Sequence, residues 1–230
     1  MTDTVEQILE KYELKSGSHE SIDKGACIME LVSYIANEPW SDHPKCACPI
    51  LTEYAIRLND RFNDEHRQLL KPFIAKLLNS RVNDATQIGR KRLIRWRYVT
   101  HTYPMILECW KLLEHAAKLR TFENTLESMA EAKKYLDENR KTIRADAYAN
   151  ANANAYADAN ADANANANAN ANANANADAY ANANADAYAY AYANANADAN
   201  ADANANAFRK RVVDSALETL AMAADLRVDA

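Results

Sequence analysis

An all-α fold is predicted for this chain by three observations. Apolar residues in the first 144 positions recur at three- and four-residue spacing. Pro and small polar residues fall between those stretches, where helix ends belong. The segment 145–207 then places alanine, the strongest helix former, at every odd position. The chain divides accordingly into a helical domain at 1–144, a low-complexity repeat at 145–207 and an amphipathic helix at 208–230.

The elements follow in order. Val5, Ile8, Leu9 and Tyr12 set a first helix over 5–14, closed by Ser16, Gly17 and Ser18. Ser21 has the form of an N-cap for a second helix over 22–36, with Ile28, Leu31, Val32 and Ile35 as its apolar stripe. Pro39, Pro44 and Pro49 make the connector 38–49 incompatible with a regular helix. Helices resume over 50–61 and again from Asn63 to 78, where Pro72 forces a kink or restart. Asp84 and Gln87 read as a capping box before a helix over 88–103. Pro104 opens the next, to 119, and Thr121 caps a last helix over 122–144 that nothing separates from the repeat.

In the repeat the even positions hold 18 Asn, 7 Asp and 6 Tyr against 32 alanines. The aspartates are all separated by multiples of four, and the stretch 146–162 recurs imperfectly forty residues on. Codons for Asn, Asp and Tyr differ only in the first base, so slippage of a short DNA repeat accounts for the regularity. Asn, Asp and Tyr each cost about 0.5–0.7 kcal/mol relative to Ala in a helix, which leaves helix permitted but weakly driven. A long helix or helical hairpin is favoured; a β-array, suited to the strict alternation, and disorder, suited to the small apolar content, are the alternatives.

Charge is +2 before the repeat, −7 within it and 0 after it, for −5 overall, which argues against a dedicated polycation. No apolar run approaches the ~18–20 residues that span a bilayer, and the polar start lacks the features of a signal peptide. A cytoplasmic protein with no membrane partner is expected, its four cysteines reduced.

Ser21-Ile-Asp-Lys-Gly-Ala-Cys-Ile-Met-Glu30 followed by Glu38-Pro-Trp-Ser-Asp-His-Pro-Lys-Cys46 resembles an uncharacterised family of proteins found in actinobacterial and phage genomes. The resemblance implies an N-terminal domain joined to an alanine-rich repeat and a short C-terminal helix. Repeats in that family have the form Ala-Ala-Ala-X, from which this chain departs, and the family carries no activity to transfer.

Two constellations are candidates for chemistry. His43, Cys46 and Cys48 place an imidazole and two thiols within six residues, with Asp42, Glu30, Glu38, Cys27 and His19 available to complete a zinc site. The competing reading packs Trp40 into the core and leaves His43 in a local hydrogen bond; a Cys46 nucleophile with His43 as base is a further option. Apart from zinc, no cofactor is implied. The second constellation is Arg90, Lys91, Arg92, Arg95 and Arg97 interleaved with Trp96 and Tyr98, a set suited to phosphate contact and base stacking, or else a solvated helix face. The tail carries Val212, Leu217, Leu220 and Met222, an apolar stripe that either folds back or pairs with another chain.

The sequence therefore favours a non-enzymatic interaction or scaffold protein, with the repeat as spacer or self-association element; a homo-oligomer is one option for its assembly, and no protein partner is identified. Nucleotide or nucleic-acid binding through residues 90–97 is one alternative. Zinc-dependent or thiol chemistry at His43 and Cys46 is the other.

Overall fold

The computed structural model describes residues 4–109, 111–147, 149 and 206–228. Among these residues the fold is all-α, the single β feature being an isolated bridge between Leu14 and Ala26. The choice between helix, β-array and disorder for the body of the repeat lies outside the described residues.

Helix α1 (Val5–Lys11) opens on a capping box between Thr4 and Gln7 and is shorter than expected. Leu14 leaves it to be buried, its backbone N–H donating to Gln68 Oε1 at 3.0 Å and its carbonyl accepting from Gln68 Nε2 at 2.9 Å. Helix α2 (Ile28–Ile35) begins six residues after the expected start, because Gly25, at φ +132°, breaks any helix entering from Ser21. Its N-cap is Cys27, and Glu30 closes a capping box by accepting from the Cys27 N–H at 2.7 Å. After the proline-rich connector, α3 (Pro49–Arg61) starts with proline at its first position, where no N–H is needed. Helix α4 (Asp64–Gln68) is capped by Asn63, and Pro72 sits in a 3₁₀ turn (Lys71–Phe73) that restarts the chain as α5 (Ile74–Leu77).

Helix α6 (Asp84–Arg97) is capped by Asn83, whose side chain accepts from the Thr86 N–H at 2.8 Å, so the capping residue lies one position before the expected Asp84. Pro104 does not open a new helix. The backbone runs through a π turn (Tyr98–Thr102) directly into α7 (Tyr103–Cys109), the widened turn falling where Pro104 has no N–H to offer the carbonyl of Thr100. The break comes instead at Lys111, at φ +60°. There the N–H of Leu112 donates to Leu107 O at 2.8 Å and that of Lys111 to Glu108 O at 2.9 Å, the Schellman pattern that ends a helix. Helix α8 (Leu113–Arg120) closes at Thr121, which was expected to open the following helix. That helix, α9, covers residues 126–147 and is capped by Thr125, which accepts from the Ser128 N–H at 3.1 Å. It therefore enters the first positions of the repeat. The last helix, α10, covers residues 206–225.

Two apolar cores result. Ile8, Leu14, Ile28, Leu31, Leu51, Leu70, Ile74 and Leu77 form the larger, and Ala216, Leu220, Ala223 and Ala224 of α10 are part of it. Leu107, Leu112, Ala116, Leu119, Phe122, Ala132 and Ile143 form the smaller, between α7, α8 and α9. Trp96 links the two, packing against the larger core while its indole N–H donates to Phe122 O at 2.8 Å.

Candidate functional site: the basic helix and the returning C-terminal helix

The five cations of α6 separate into an inner and an outer set. Thr86, Arg90, Leu93, Arg97 and Thr100 follow a four–three–four–three spacing, and all are buried. Arg90 is fully buried; its Nη1 donates to Ser80 O at 2.7 Å and its Nη2 to Ala224 O at 3.2 Å and Leu226 O at 3.4 Å. The carbonyls at the C-terminal end of α10 carry the negative end of the helix dipole, which stands in for a counter-ion. Arg97 pairs with Glu218 of α10, and its Nε lies 3.4 Å from Thr219 Oγ1. Inner arginines thus clamp α10 at two levels.

Further bonds complete the clamp. Thr86 Oγ1 donates to Val228 O at 3.2 Å and accepts from the Val228 N–H at 3.0 Å, and Lys76 pairs with Asp225 at 2.7 Å. Gly89 allows this close approach: a Cβ there would stand 3.1 Å from Leu226 Cδ2 and 3.3 Å from Val228 Cγ2. Tyr54 of α3 donates its hydroxyl to Ala216 O at 3.3 Å, and burial pushes its pKa up to about 12.

Lys91 and Arg95 form the outer set and are exposed, as is Tyr98 beyond them. Arg92 is half-buried, with Nε 3.3 Å from Asn124 Oδ1, and Trp96 is engaged as described. Residues expected to act together for an anion are thus distributed over both sides of one helix. The period that separates them was legible: Arg90 and Arg97 are seven apart, in phase with Leu93, whereas Lys91 and Arg95 are four apart and out of phase with it.

Between the π turn and α10 lies a cleft of about 380 Å³, lined by Arg97, His101, Met105, Arg211, Asp214, Ser215 and Glu218. The hydroxyl proton of Thr100 goes to Trp96 O at 2.8 Å, so Thr100 Oγ1 accepts from His101 Nδ1 at 2.7 Å. That fixes the neutral tautomer with its proton on Nδ1. Burial lowers the His101 pKa, and the Arg97 charge adds to the effect.

The connector is built differently. His43 Nδ1 lies 2.7 Å from Asp42 Oδ1 and its Nε2 3.3 Å from Glu53 Oε1; hydrogen bonds to these two carboxylates raise its pKa. The carboxylate of Glu38 accepts from the N–H groups of Lys45 at 2.6 Å and Cys46 at 2.8 Å. Cys46 is half-buried, Cys48 is fully buried, and burial raises the Cys46 pKa, with the nearby Glu38 carboxylate adding to it. Trp40 packs against the larger core. Among the described residues no three His, Cys, Asp or Glu side chains converge as a metal-holding group.

Two measurements follow from these environments. In an NMR titration the His43 imidazole should show a midpoint above 6.5 and that of His101 one below it; the reverse order would contradict both geometries. A thiol reagent followed by site-resolved mass spectrometry should modify Cys46 ahead of Cys27, whose thiol burial pushes up to about 12, and ahead of Cys48.

Glu30 lies in the first turn of α2. It is buried, and its carboxylate accepts from the His19 N–H at 2.6 Å and faces His19 Nδ1 at 2.9 Å, while Trp40 Nε1 donates to His19 O at 2.6 Å. His19, in turn, borders an open cleft of about 600 Å³ lined also by Glu13, Lys15, Ser16, Asp64 and Arg67. Arg67 is already engaged by Asn59 O, Phe62 O and Asp64, while the loop before α2 is tied to α2 by the His19–Glu30 bonds and to α3 by Gly17 N–H to Asp60 Oδ1 at 2.8 Å and Asn59 Nδ2 to Lys15 O at 2.8 Å.

Comparisons of the chain with protein-family models, curated proteins and solved structures gave no match. Among the described residues no helix is long and apolar enough to cross a membrane.

Proposed function

We propose that this chain is a non-enzymatic interaction or scaffold protein whose helical body holds both ends of the Ala-(Asn/Asp/Tyr) repeat, and that the repeat is its self-association element. The supporting observation is the burial of α10 in the larger core: Ala216, Leu220, Ala223 and Ala224 pack with residues of α1, α2, α3 and α5. The repeat therefore does not connect the body to a separate module. It leaves through α9, which packs on α7 and α8, and returns through α10. Alanine at every odd position of a segment held at both ends gives it small side chains that permit close approach between copies.

The reading is tested by replacing residues 150–205 with a flexible Gly/Ser linker of about 30 residues, which spans roughly 30 Å on average. Sedimentation of the full chain should show concentration-dependent association, and the linker variant should stay monomeric with an unchanged melting temperature. Equal association by both proteins would overturn the proposal.

A further inference from the structure

We infer that the outward stripe of α6, formed by Lys91, Arg95 and Tyr98, docks the Asp- and Tyr-bearing units of the repeat of a second copy of this chain. The inference rests on the self-association reading above and supplies its other half, the surface that the repeat meets. On the 3.6-residue period, Ile88, Lys91, Arg95 and Tyr98 fall within one quadrant of the helix, opposite the buried stripe. Ile88 is 62 % and Tyr98 52 % exposed.

Three features distinguish this face from an ordinary solvated one. Lys91 and Arg95 have neither salt bridge nor hydrogen bond among the described residues, whereas Arg90 and Arg97 are both engaged. Tyr98 stacks on Tyr103 with ring centroids 5.9 Å apart and planes at 12°, so an exposed aromatic is held in one orientation beside the cations. An exposed aliphatic side chain, Ile88, extends the same stripe. A cation pair beside a fixed phenol ring complements a segment that offers a carboxylate and a phenol at short separation.

The repeat has four such units: Asp146-Ala-Tyr148, Tyr156-Ala-Asp158, Asp178-Ala-Tyr180 and Asp186-Ala-Tyr188. It also carries −7 against +2 for the first 144 residues, so the long-range field favours the same encounter. A nucleic acid would have to approach a chain of net charge −5.

The test is the double variant Lys91→Glu, Arg95→Glu in the full chain, followed by sedimentation velocity over a concentration series at low and high salt. Both side chains are exposed, so the melting temperature should hold. The dissociation constant for self-association should rise by at least about tenfold, and the parent should weaken similarly in high salt. Exchanging the aspartates of the four units for lysine should restore association to the double variant. Association that persists unchanged in the double variant would overturn the inference while leaving the self-association reading intact. A parent that stays monomeric at all concentrations would remove both. Loss of fluorescent oligonucleotide binding in the double variant, with sedimentation unaffected, would assign the stripe to nucleic acid and overturn the proposed occupant.

Discussion

Replacing Arg90 with methionine is expected to destabilise the protein by about 3 kcal/mol and to lower its melting temperature by about 6–12 °C. Methionine retains much of the buried stem and removes the guanidinium, so the loss isolates the bonds to Ser80, Ala224 and Leu226 from packing. Removing one member of a buried ionic arrangement costs about 3–5 kcal/mol, and two features place this case at the lower end. Arg227 Nη1 also donates to Ala224 O at 2.7 Å and Leu226 O at 2.8 Å, so two of the three carbonyls keep a partner. The Nε of Arg90 is buried with no partner, a liability that the variant removes. Removing Arg227 as well should therefore cost more than the two single losses added together, because each covers for the other. Lysine at position 90 should rescue little, since it keeps the charge but lacks the planar fork. Alanine at Lys91, one residue away and exposed, should stay within about 0.5 kcal/mol. Chemical denaturation of the parent and these variants decides the matter; equal stability for the Arg90 and Lys91 variants would contradict the clamp.

Shortening Leu220 to alanine should cost about 2–5 kcal/mol, since the side chain is fully buried in the larger core and leaves a cavity there. Ending the chain at residue 205 should be worse: it strips Ala216, Leu220, Ala223 and Ala224 from that core and uncovers Arg90 and Arg97 together. The shortened chain should lose its cooperative thermal transition, and a synthetic peptide of residues 206–230 added in trans should restore it. A shortened chain that melts like the parent would show that α10 is a passenger.

The helix content was legible because periodicity and proline placement report directly on local geometry. Boundaries were less so, and each failure has a local cause. At Ser21 a good capping residue is present, but Gly25, the fourth residue of the expected helix, adopts a positive φ that ends it. At Pro104 a usual helix-opening signal is overridden by a π turn, a tertiary accommodation with no simple sequence mark. Lys111 in the left-handed region closes α7 where glycine or asparagine would have announced the stop. For the site, composition grouped Arg90 and Arg97 with Lys91 and Arg95, whereas helical phase separates them. What phase alone does not supply is the partner. Arg90 meets carbonyls 134 and 136 positions downstream, across the whole repeat, and no local signal links them.

That separation in the chain is also a separation in time. A ribosome adding about 5–20 residues per second needs about 4–16 s to pass from residue 147 to residue 226, and throughout that interval the larger core lacks its last helix. Newly made protein thus carries an uncovered apolar groove, flanked by two buried-type arginines without their carbonyls, until synthesis has crossed the repeat. Each added four-residue unit lengthens the wait by a fraction of a second. The number of repeat units sets how long the nascent body stays open to chaperones, proteases and neighbouring chains on the same message.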